Sequence, residues 1–195
     1  MNTLCLDFAN TLQWHASANP QEHLNSYSDL VEWGHKEGLL SEKDVQKLSK
    51  ETRRNPVASE KVLKRAIELR ETIYRIFSAV AAGDLPKDGD LSIINRNLAK
   101  TMAQSRIITT KNGFTWDINR NTDDLDWMLK PIVRSAAELL TSDELDRVKE
   151  CADDKGCGWL FLDRSRNKSR RWCDMKDCGN RAKANRFYKR NRKPV

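Results

Sequence analysis

Through residues 58–82 the apolar positions Leu63, Ala66, Leu69, Ile73, Phe77 and Val80 recur at three- and four-residue steps, while Lys61, Lys64, Glu68 and Glu71 fall outside that stripe. This period predicts an amphipathic helix, closed by Gly83. Upstream, Ser28 is a candidate cap for a helix through Leu30, Val31 and Trp33, with Gly38 as its stop. Ser41 opens another, with Asp44 three residues on in capping-box order and Val45 and Leu48 as its apolar face. Asn55-Pro56 breaks it. After the loop 84–89, Leu91, Ile94, Leu98 and Met102 predict a helix over 90–104. The period then changes. Arg106–Thr110 and Phe114–Ile118 are β-branched or aromatic runs around Lys111-Asn112-Gly113, which predicts a hairpin. A helix is expected from Thr122-Asp123-Asp124 to Leu140, kinked or split into two abutting segments at Pro131, and a last body helix from Ser142 into Cys151.

The 195 residues suffice for a core without disulfides. At 38% hydrophobic and 32% charged, the chain is polar but not of disordered composition. It lacks the run of roughly 18 apolar residues that a transmembrane helix needs, and its start has neither a basic region nor an apolar stretch. A cytoplasmic protein is expected, with cysteines reduced or metal-bound. No glycine-rich phosphate loop is present, and His15, His23 and His35 form no metal-ligand pair, so no catalytic residue is expected.

Charge divides the chain. Residues 164–195 carry thirteen Lys or Arg against Asp174 and Asp177, a net +11, which leaves −4 on the first 163 residues. A basic end on a mildly acidic body points to a polyanion, most simply nucleic acid, whose counterions are released on binding; a solvated tail is the bland alternative.

The cysteines carry the sharpest chemistry. Cys151, Cys157, Cys173 and Cys178 are spaced C-x5-C-x15-C-x4-C. Two close pairs around a longer insert suit a tetrahedral four-thiolate zinc site, which has no open position and is therefore structural. Four unlinked thiols are the alternative. Gly158 and Gly179 follow two of the candidate ligands and permit close turns. Between the pairs, residues 159–162 read as a strand, 164–168 as a turn and 170–172 as its return strand. Cys5, between Leu4 and Leu6, reads as a buried free thiol.

A helix over 180–190 follows. At about 100° per residue, Arg181, Lys183, Arg186, Lys189, Arg190 and Lys193 share one broad arc, and Ala184, Phe187 and Tyr188 lie opposite, where they are expected to pack on the finger. The candidate nucleic-acid contacts are Arg164, Arg166, Lys168, Arg170 and Arg171 on the turn and its return, and Arg181, Lys183, Arg186, Lys189 and Arg190 on the helix. Asn180 is a candidate cap or base contact, and Asn185 a candidate reader of adenine.

Cys157-Gly158-Trp159-Leu160-Phe161-Leu162-Asp163-Arg164-Ser165, Trp172-Cys173-Asp174-Met175 and Cys178-Gly179-Asn180-Arg181-Ala182-Lys183 together resemble the CGNR zinc finger over about residues 148–192. Leu6-Asp7-Phe8-Ala9-Asn10-Thr11-Leu12 and Tyr27–Trp33 resemble motifs of the ABATE domain, which commonly precedes that finger. The resemblance implies a bacterial stress-induced transcription regulator whose four cysteines hold zinc, acting in the cytoplasm at the nucleoid. Asp7, Asn10 and Thr11 read either as a polar cluster satisfying buried backbone groups or as the lining of a small-molecule effector pocket.

The expected architecture is mainly α: a helical domain with one β-hairpin over 1–145, then a treble-clef-like four-cysteine finger over 146–195. Duplex-DNA binding is the leading function. An RNA-binding module, or a ligand sensor or enzyme domain that the finger delivers to nucleic acid, are the rivals.

Overall fold

A computed structural model describes residues 3–111, 113–118 and 124–191. The described elements run α1 (Leu4–Ala9), β1 (Leu12–Gln13), β2 (Gln21–Glu22), α2 (Tyr27–Lys36), α3 (Glu42–Arg54), α4 (Pro56–Ala82), α5 (Asp88–Ala103), β3 (Ser105–Thr110), β4 (Gly113–Ile118) and α6 (Leu129–Leu140). A 3-10 turn (Leu145–Arg147), β5 (Val148–Glu150), β6 (Leu160–Leu162), a π-helical turn (Met175–Gly179) and α7 (Asn180–Asn191) complete the order. The fold is mainly helical, with three two-stranded antiparallel sheets, β1–β2, β3–β4 and β5–β6. No described helix is long and apolar enough to cross a membrane.

Helix α4 is the axis of the body. It packs against α1, α2, α3, α5 and β5. Because neighbours approach from several sides, its buried surface is wider than the predicted stripe: Val62, Tyr74 and Ile76 join Ala66, Leu69, Ile73 and Phe77, while Leu63 and Val80 lie at the margin. Gly83 ends it in the left-handed region at φ 84°. Asn55 both ends α3 and caps α4, accepting from the Ala58 N–H, and Pro56 sits where no helical donor is needed.

Ser41 caps α3 with the reciprocal Asp44 bond that its spacing predicts. The cap of α2 is Ser26 rather than Ser28, because Asp29 completes a capping box with Ser26 and Tyr27 is buried with its hydroxyl donating to Leu125 O. The β3–β4 hairpin pairs Ile107 with Trp116 and Thr109 with Phe114, as its period predicts; its Asn112 lies outside the described residues.

Three further expectations are corrected. Helix α6 begins at Leu129, so Pro131 occupies the first turn, where a missing N–H costs nothing, and no kink follows; Thr122 and Asp123, the expected start, lie outside the described residues. Ser142 opens no helix to Cys151: the chain makes one 3-10 turn and enters β5. Strand β6 pairs with β5, not with residues 170–172. The reason is burial: Val148, Leu160 and Leu162 all join the main apolar core.

Candidate metal centre and nucleic-acid interface

The β5–β6 hairpin brings Cys151 and Cys157 together. Cys151 follows β5, its N–H donating to Trp159 O at 2.9 Å, and the intervening loop turns at Gly156 and Gly158 with φ of 84° and 64°. A Cβ at Gly158 would lie 2.8 Å from both Ala16 N and the Tyr74 hydroxyl, so glycine is required by backbone geometry and by space. Gly179 has an ordinary conformation, and its Cβ would meet the Met175 sulfur at 3.0 Å. The π-helical turn, capped by Asp174, presents Cys178. Cys173 approaches from the incoming loop, its N–H donating to Cys151 Sγ at 3.5 Å.

All four sulfurs lie within 4.8 Å of one another, and all but Cys173 belong to buried residues. Thiols this close cannot all ionise with nothing positive among them. Hydrogen bonds from Cys157 and Cys173 push Cys151 far down, while its contacts with Cys151 and Cys157 push Cys173 far up. A divalent cation resolves that conflict by holding four thiolates at once. The donor set fits zinc, and the centre is a structural zinc site. Cys5 is different: alone and buried, its thiol is pushed up to about 12, chiefly by desolvation, and is chemically quiet.

Around the centre the basic residues divide by what they touch. Arg181 turns inward. Its guanidinium pairs with the fully buried Asp153 carboxylate at 3.0 Å, reaches Cys178 Sγ at 3.1 Å and lies over the Trp14 ring at 4.9 Å. Arg170 folds back, donating from Nε to Trp172 O at 2.8 Å and from Nη2 to Cys173 O, with its guanidinium 4.8 Å from the Phe161 ring. Arg171 and Arg186 both lie over the Trp172 ring, at 5.5 and 5.6 Å from its centroid. Lys168 pairs with Asp146, and Lys189 stands 3.9 Å from Asp154. Arg164, Arg166, Lys183 and Arg190 are exposed, with side chains that make no hydrogen bond or ion pair among the described residues. Asp163 shapes the turn that carries Arg164 and Arg166. Burial raises its pKa, but the Ser165 hydroxyl together with the N–H groups of Ser165 and Arg170, at 2.9 and 2.8 Å, more than offset this and hold the carboxyl below its ordinary value.

Helix α7 is rotated relative to expectation. Its inward side is Arg181, Ala182 and Asn185, held by Asp153 and Asp154, with Asn185 Nδ2 donating to Asp154 at 3.0 Å. Phe187 and Tyr188, expected to pack on the finger, are 63% and 69% exposed. Two carboxylates facing a basic helix outcompete two aromatic rings for the seam. Asn180 does not cap the start of α7: the π-helical turn runs straight into the helix, and the Asn180 amide donates to Lys176 O.

The three N-terminal residues line one cleft of about 370 Å³ between α1 and α2, with Trp33, Glu37 and Trp159 among its walls. Asn10 is committed to the fold: its amide donates to Leu160 O at 2.8 Å and accepts from Leu160 N–H at 2.9 Å, tying α1 to β6. Thr11 donates to Phe8 O. Asp7 accepts from Thr3, and burial raises its pKa. His15 meets Glu71 at 2.9 Å and stacks on Tyr74 rather than approaching Asp7. Sequence reasoning missed the buried Asp153 and Arg70, because a charged residue carries no sign that it will be buried, and the exposed Asp154, because its partner Asn185 lies 31 residues away.

Two family models match the chain. The ABATE model, described as "Putative stress-induced transcription regulator", matches residues 2–143, and the CGNR zinc finger model matches residues 147–191. No curated protein matches the chain.

Proposed function

Since the chain belongs to the ABATE family and carries a C-terminal CGNR zinc finger, we propose that it is a non-catalytic transcription regulator that binds duplex DNA through the finger, at the nucleoid. The division of labour follows the sequence, with residues 1–145 as the regulatory body and 146–195 as the nucleic-acid module. One observation carries the reading: the turn after β6 and helix α7 carry outward side chains, Arg164, Arg166, Lys183 and Arg190, that are cations without protein partners among the described residues. Such cations suit phosphates. Arg186, Lys168, Arg171 and Lys189 are exposed and add to the same positive surface, whereas Arg170 and Arg181 hold the finger's shape.

Selection of random duplex DNA by the zinc-loaded full chain, near physiological salt, tests this. A recurring motif supports sequence-specific recognition. Binding that fades with salt and enriches no motif reduces the finger to an electrostatic anchor. Structured RNA at matched salt is the competitor that separates the RNA reading.

A second reading concerns the cleft. Trp159 lines it and also follows Gly158 beside the zinc ligand Cys157, so a small effector held at Asp7 would touch the residue next to the metal centre. Its test is a ligand screen by thermal stabilisation, which rises with occupancy of the folded state.

A further inference from the structure

The outward surface of α7 carries more than charge. At about 100° per residue, Phe187, Ala184 and Tyr188 fall side by side, with Lys183 and Arg190 next to them along the Phe187 edge. All five are exposed. The two rings meet edge to face, centroids 6.0 Å apart. Two large aromatic side chains, mostly in water, are costly to leave uncovered, and here the surrounding charge says what covers them. An apolar protein surface would have to bury Lys183 and Arg190 beside the rings; a nucleic acid offers phosphates to the cations and base faces to the rings. Base stacking needs no hydrogen-bond partner from the ring, only an accessible π-face. At the same spacing Phe187 falls on the far side of the helix from Asn185 and its partner Asp154, whose charge would repel a phosphate backbone, and exposed Tyr188 lies between Phe187 and that side.

We propose that Phe187 and Tyr188 form a stacking wedge that enters an opened base step while Lys183 and Arg190 hold the flanking phosphates. The finger therefore prefers duplex DNA with a weakened step over the same duplex fully paired, because the cost of unstacking is already met. This rests on the nucleic-acid reading above.

The experiment uses the zinc-loaded full chain and two DNA probes, a perfect duplex and the same duplex with one unpaired base. Wild-type protein binds the second about tenfold more tightly, in line with the stacking of one base. The double variant Phe187→Ala/Tyr188→Ala loses that preference and keeps the slope of log affinity against log salt, since it removes no charge. Phe187→Trp/Tyr188→Trp restores the preference. Lys183→Gln/Arg190→Gln flattens the slope on both probes. Equal affinity of wild-type protein for both probes overturns the wedge while leaving nucleic-acid binding intact. Wild-type protein that binds neither probe overturns both readings. Sedimentation showing a wild-type dimer that the alanine pair converts to monomer, with the preference for the unpaired probe retained, assigns the rings to a second copy of the chain and overturns the wedge.

Discussion

The body and the finger hold together by different means. The body has one continuous apolar core, in which Phe8, Ile73, Phe77, Met128 and Leu139 are all fully buried around α4. The finger has almost none. Its own buried cluster is Phe161 with Cys151, Cys157 and Cys178, edged by Trp14, Trp159 and Trp172. A region of some forty residues with a sulfur centre in place of a core is below the size at which apolar burial alone sustains a fold. Metal binding supplies in the finger what hydrophobic burial supplies in the body. The contrast extends to charge: the body buries Arg70 among carboxylates, while the finger displays Arg164, Arg166, Lys183 and Arg190.

The largest expected effect follows from removing the metal. Binding of zinc to four thiolates supplies on the order of 10 kcal/mol in small finger domains. Cys173→Ser, or a strong chelator acting on the wild-type chain, should melt residues beyond Cys151 while the helical circular-dichroism signal of the body survives. A Cys173→Ser protein with full zinc content and a native finger would break the comparison at its root.

Next comes a charge that the body buries. Arg70 has only 2% of its side chain exposed, and it pairs with both oxygens of Glu22 at 2.6 and 2.7 Å and with Glu71 at 2.9 Å. Arg70→Ala leaves two partly buried carboxylates facing each other, and about 3 kcal/mol of stability should go with it. The same network gives the body an acid limit. Burial raises the pKa values of Glu22 and Glu71, but Arg70 and, for Glu71, His15 outweigh it, so both sit below their ordinary range. Their unfolded values are therefore higher. The contribution is complete above about pH 4.3, the ordinary glutamate value, and is lost as pH falls through the lowered folded values. Urea melts of wild type and Arg70→Ala should converge over that interval; a constant gap down to strong acid would remove the ion pair as its cause.

Legibility in the sequence followed the same divide. Where one local cause decides, the residues announce the outcome: Ser41 with Asp44, Asn55-Pro56, Gly83 and the β3–β4 hairpin all stand as their patterns predict. The four cysteines declare the centre because few other arrangements need that spacing. Failures fall where partners come from far along the chain. The partner of β6 is set by Val148, Leu160 and Leu162 finding the body's core, a choice invisible within the finger. The side α7 turns inward is set by Asp153 and Asp154, nearly thirty residues upstream. A helical wheel weighs apolar against polar positions; it holds no information about a carboxylate waiting on the neighbouring segment. Asn10 was legible as a polar residue in an apolar setting, but its partner, the backbone of Leu160, was not.

That partner sets the smallest and most discriminating prediction. Asn10 makes two buried hydrogen bonds across 150 residues, to both polar groups of Leu160. Asn10→Ala leaves a buried N–H and a buried carbonyl unpaired and should cost about 2 kcal/mol, with zinc still bound. If the finger is a separate metal-held unit leaning on the body, Cys173→Ser has already released β6, and Asn10→Ala in that background should cost almost nothing. The two substitutions would then be strongly non-additive, as expected of groups that act through one shared contact. Strict additivity would mean that β5 and β6 stay docked without metal. Val148, Leu160 and Leu162 would then belong to the body's folding unit, and the metal would organise only the chain that follows Leu162, the segment that carries the outward cations and α7.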